Sequence, residues 1–145
     1  MKKEKILHKL VMLLPAFWAA LFDMTITVVY QPNEYWNGNL NVANEANPIG
    51  AFAMKHHVLG FFIVCLFWLF IIGIVGSFLN KKNLPLFTLF VLICHTWGGS
   101  SWIMNHFGFE LVMIYIFLNS LFFIKIQKYY NSKEIKCQSN KTSIT

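Results

Sequence analysis

Three titratable side chains, Asp23, His95 and Glu110, stand inside long apolar runs of this sequence. A charged group at the centre of a membrane helix costs about 2.5–3.5 kcal/mol, so each needs a partner or a task. Asp23 lies 14 residues beyond Lys9, His95 lies 13 beyond Lys82, and Glu110 lies 15 before Lys125. At 1.5 Å per helical residue, all three sit about 20–22 Å from the lysine-bearing boundary. If they also face one another, two carboxylates and an imidazole offer the mixed oxygen and nitrogen ligands that suit zinc or another divalent ion, with a position left for water.

On that basis Asp23, His95 and Glu110 are candidate catalytic residues. Asp23, His57, His95, His106 and Glu110 are candidate metal ligands. Ser101 and Asn105, with Ser100, could orient a substrate. Ala16, Ala19, Ala20 and Thr27 share the face of Asp23, and Gly98, Gly99 and Trp102 share that of His95. Small residues of this kind favour close helix contact.

Plainer explanations exist for each residue. Glu110 opens a helix, where the dipole favours an acid and Asn105 could act as a cap. Asp23 could be a neutral acid bonded to a neighbouring helix, and His95 its like. His56 and His57 at an interface are explained by snorkelling. The five tryptophans, Trp68 among them, read as aromatics facing lipid or interface. No H-E-x-x-H or G-x-S-x-G motif names a mechanism. Bis-histidine haem through His57 and His95 fails on depth, because His57 lies about 36 Å above Lys81.

The elements that must position these groups follow from composition. Of the 145 residues, 57% are hydrophobic and 12% charged, against about 45–50% and 25% in a soluble domain. Apolar runs cover about residues 10–30, 55–79, 84–104 and 108–124, each long enough to span a hydrocarbon layer of about 30 Å. A polar segment, 31–47, connects the first two. Asn47-Pro48 starts a helix that runs to Leu79, its first turns standing above the membrane or at its surface. Asn105, His106 and Phe107 turn the chain between the last two runs. The tail, 131–145, is polar and expected to be disordered. A cleaved signal peptide is the competing explanation for the first run, which continues well past any cleavage point.

All twelve basic residues are lysines. Four precede the first run, two sit at Lys81-Lys82 and five follow from Lys125, against Lys55 alone on the other side. The positive-inside rule places both termini in the cytoplasm. A net charge of +6 arranged in such clusters suits anionic headgroups and not nucleic acid. Cys65, Cys94 and Cys137 form no CxxC pair, so no disulfide or structural zinc framework is visible.

The stretches LFDMTITVVY and NEANPIGAFAM carry an acid and a threonine, Asp23 and Thr27, in the first helix. They then carry Glu45, Asn47 and Pro48 at the start of the second. In these features the first half of the chain resembles a family of small prokaryotic four-helix membrane proteins of unknown function. The resemblance implies the four-helix fold and groups Asp23, Glu45 and Asn47, but it implies no reaction.

The sequence therefore predicts an all-α, four-span bundle of a cytoplasmic (inner) membrane, with N and C termini inside. A polar site lies in its outer half, with Thr27, Glu45, Asn47, His57, Ser101 and Asn105 as candidate binding residues. A binding or structural subunit, with the lipid bilayer and a membrane-protein partner or second copy around it, is the first expectation. A metal-dependent hydrolase acting on a lipid-linked or peptide substrate at the outer leaflet is the alternative.

Overall fold

A computed structural model describes the backbone of residues 2–142 and the side chains of residues 6–133. The described chain is all helical, and four helices are long and apolar enough to cross a membrane. They belong to α1 (Lys2–Val29), α4 (Gly60–Phe78), α5 (Asn83–Phe107) and α6 (Phe109–Thr142), with α2 (Asn33–Trp36) and α3 (Pro48–His56) between the first two spans.

The first helix is the hub. Met12, Leu13, Ala16, Ala19, Ala20, Ile26 and Thr27 recur at helical spacing and are buried, a stripe that lets neighbours approach closely. In its spanning segment 44% is buried, against 22–28% for the other three, so α1 is the centre of the bundle. It packs against α4, α5 and α6, whereas the backbone of α4 comes close to α5 at few points and, among the described residues, not to α6. Gly76 of α4 sits where any Cβ would run into the Leu13 side chain, which sets the close crossing of α1 and α4. At the same end, the Lys9 ammonium donates to the carbonyls of Ser77 and Leu79, 2.7 Å from each. These are terminal carbonyls of α4, which have no partner within their own helix.

The expected helix from Asn47 to Leu79 is two helices. Asn47 accepts from the Ile49 amide and Pro48 takes the first turn, as its sequence implies. The chain then breaks at His57, which is extended at φ −160° and ψ 141°. The His57 ring accepts the Leu59 amide at 3.0 Å. Gly60 follows because α3 folds back so tightly that a Cβ there would collide with the Ala53 carbonyl. Hydropathy does not register this corner, since both helices are apolar.

The last turn also differs from expectation. Nothing in Asn105, His106 and Phe107 stops a helix, so α5 runs through them and Gly108 alone makes the turn at φ +90°, where other residues are disfavoured. Between Phe109 and Thr142 there is no glycine or proline. The backbone is helical to Thr142, within the tail whose composition suggests disorder, and 143–145 lie outside the described residues.

Candidate functional site

Asp23 interrupts the buried stripe of α1 one turn before Thr27, and His95 lies on the face of α5 that carries Val91 and Gly99. The two helices pack along much of their length, and the His95 Nδ1 is 2.8 Å from the Asp23 Oδ2. Only 15% of the His95 side chain and 20% of the Asp23 side chain are accessible, so the pair is largely shielded. From α4, the Trp68 indole Nε1 is 2.7 Å from the His95 Nε2. An indole N–H can only donate, so Nε2 is the acceptor and the proton of a neutral ring sits on Nδ1, directed at Asp23. Three helices are thus joined through one imidazole. Gly98 makes room for the Asp23 carboxylate, because a Cβ there would lie 2.6 Å from both of its oxygens.

The polar segment folds over this end of the bundle. Gln31, buried at the end of α1, donates to the carbonyls of Thr27 at 3.1 Å and Asn44 at 2.6 Å, and accepts the Asn44 amide at 2.8 Å. Tyr35 is fully buried with Met54 and Phe61, and its hydroxyl donates to the Val58 carbonyl at 3.1 Å. Its burial raises the phenol above its ordinary range. This clamp brings Glu45 within electrostatic range of Asp23, with Cys65 of α4 nearby. The Glu45 Oε1 accepts the Asn47 amide at 2.7 Å, and its side chain lies against Gly50. Burial pushes the Glu45 carboxyl above its usual range; the Asn47 amide acts against that shift and the Asp23 charge adds to it.

Of the residues singled out by sequence, Asp23 and His95 meet. Glu45 approaches Asp23, Thr27 is buried with its carbonyl bonded to Gln31, and Asn47 caps α3. The others are not part of this constellation. Glu110 is exposed in the first turn of α6, and Asn105 is exposed in the last turns of α5. His106 bonds the Trp102 carbonyl, and its ring centroid lies 3.9 Å from that of Tyr30 with the planes tilted by 36°. Ser101 bonds the Gly98 carbonyl, and His57 shapes the corner before α4. Among the described residues, no three His, Cys, Asp or Glu side chains form a group able to hold a metal ion.

Sequence reasoning missed Trp68 and Gln31. Trp68 lies 13 residues before Lys81, and His95 lies 13 after Lys82. The depth count that levels Asp23 with His95 therefore levels Trp68 too. Gln31 carries no comparable signal.

A second feature lies on another side of α5. A groove of about 780 Å³ between α5 and α6 is lined mainly by apolar side chains, with Thr96, Ser100, Ser101, Asn119 and Ser120 among them. On this side Asn119 donates to the Thr96 hydroxyl at 3.1 Å, both groups being buried. Neither Asp23 nor His95 lines it.

No family model, no curated protein and no solved structure matches the chain, so the resemblance carried by Asp23, Thr27, Glu45, Asn47 and Pro48 rests on those residues alone.

Proposed function

We propose that the chain is a multi-pass protein of the cytoplasmic membrane that acts by binding or by holding a membrane assembly together, and not by catalysis. The supporting observation is that both ring nitrogens of His95 are engaged, one by Asp23 and the other by Trp68. A general base or a metal ligand needs a free lone pair directed at its substrate or ion. Here the lone pair of Nε2 is taken by an indole. Paired in this way, the buried polar groups tie helices together, each interhelical hydrogen bond contributing about 0.6–2 kcal/mol. The lysine clusters orient the bundle with its lysine-bearing ends in the cytoplasm and the segment over Asp23 outside. A membrane-protein partner or a second copy would meet the lipid-facing sides of the helices.

Elemental analysis of the detergent-purified protein, prepared without chelators beside His95→Ala and Glu110→Gln, tests this. The expected result is no stoichiometric metal in the parent, reduced thermal stability in His95→Ala and unchanged stability in Glu110→Gln. About one ion per chain, lost in both variants, would overturn the proposal in favour of a metal-dependent hydrolase.

A further inference from the structure

Neutral His95 satisfies two neighbours at once: Nδ1–H donates to Asp23 and Nε2 accepts from Trp68. A protonated imidazolium carries a hydrogen on each nitrogen and has no acceptor to offer. Adding one proton at the Nε2 lone pair would set Nε2–H against the Trp68 Nε1–H. The same proton would make the Asp23–His95 hydrogen bond an ion pair, charged on donor as well as acceptor and so stronger. Protonation therefore strengthens the tie between α1 and α5 and removes the one between α5 and α4.

The packing around α4 decides which part of it is free to respond. At its far end α4 is held by the Gly76–Leu13 crossing and by Lys9 on Ser77 and Leu79. Its loop-side end is held by α3, through Gly60 on Ala53 and Phe61 under Tyr35 and Met54, whereas its backbone comes close to α5 at few points and, among the described residues, not to α6. We propose that Asp23, His95 and Trp68 form a proton-operated latch: uptake of a proton by His95 releases Trp68 and loosens α4 from α5 at that level, between the two held ends of α4. This rests on His95 being a paired group and not a metal ligand, and adds to that reading a response to pH.

The titratable groups within electrostatic range of Asp23 are Glu45 from the covering segment, Cys65 from α4 and Tyr115 from α6, and Cys94 precedes His95 on α5. All become negative or neutral on titration, so none opposes a positive charge on the ring by repulsion. Trp68 supplies the opposition, through the orientation of its N–H.

The test is nitrogen-15 magnetic resonance of the full chain in lipid bilayers, reading the coupling transmitted across the Trp68 Nε1–H···Nε2 His95 bond. Acidification from about pH 8 to about pH 4.5 brackets the ordinary titration of imidazole. The coupling is expected near neutral pH and should disappear in step with protonation of the His95 ring. His95→Ala should show no Trp68 response over that range, and Asp23→Asn, which keeps a hydrogen-bond acceptor, should displace the transition to lower pH. If the coupling persists while the ring is protonated, or if the ring stays neutral throughout, the latch is wrong. So it is if Trp68 responds equally in His95→Ala. Should His95→Ala not fold, the parent's coupling and ring signals decide alone. Metal content measured on the same samples separates failure of the latch from failure of the non-catalytic reading.

Discussion

Gly98 is a glycine because Asp23 occupies the place of its side chain: a Cβ there would stand 2.6 Å from both carboxylate oxygens and 2.8 Å from Cγ. Gly98→Ala must therefore displace a carboxylate already fixed by His95. Overpacking of this kind costs about 1–3 kcal/mol, read as a lowered thermal midpoint in detergent. Combined with Asp23→Ala, which removes the obstructing group, Gly98→Ala should cost much less than it does alone. Equal costs in the two backgrounds would show that the crowding is elsewhere.

Lys9 bridges the first and second spans by donating to the Ser77 and Leu79 carbonyls. A hydrogen bond from a charged donor contributes about 1.5–3 kcal/mol, so Lys9→Met should lower the unfolding free energy by about that much. Lys9→Arg should recover part of it. Chemical denaturation in mixed micelles measures both.

Gln31 pairs with both the amide and the carbonyl of Asn44. Gln31→Glu replaces its donor with an acceptor and faces two carbonyls, those of Thr27 and Asn44. Hydrogen exchange across 39–47 should accelerate, while exchange in the four spans stays as in the parent. Unchanged protection of 39–47 would mean that Tyr35 and its apolar neighbours alone hold the segment down.

Glu45 makes the covering segment sensitive to pH. Burial first, and then the Asp23 charge, raise its pKa in the folded state, so that state binds the proton more readily than the unfolded chain. Stability is then fully present below the ordinary carboxylate range and falls as pH rises through the raised value. Glu45→Gln keeps an oxygen for the Asn47 amide and removes the charge. Protease protection of the segment should increase at neutral pH and lose its dependence on pH across the carboxylate range.

The four spans are legible in the sequence because a hydrocarbon layer imposes a length and a composition that almost nothing else imitates. The meeting of Asp23 and His95 is legible through depth, which can be counted from the lysines. Depth says nothing about direction around a helix axis, and this is why a depth count groups Glu110 with them although it faces outward at the start of α6. Trp68 reads as a lipid-facing aromatic, and 41% of it is indeed exposed. A tryptophan can face lipid with its rings while its N–H points inward. The corner at His57 and the clamp at Gln31 depend on local backbone geometry that an apolar pattern does not encode.

The hub position of α1 has a bearing on how the bundle is assembled. Each later span packs on helices that precede it in the chain: α4 on α1, α5 on α1, and α6 on both α5 and α1. Every span after the first thus finds its main packing partner already synthesised, whereas α1 packs most extensively on α5, which comes later. Asp23 waits with it, since its imidazole arrives 72 residues later. During that interval an acid stands in the bilayer without its mate, so pairing with His95 becomes a checkpoint that only a chain extended through α5 can pass.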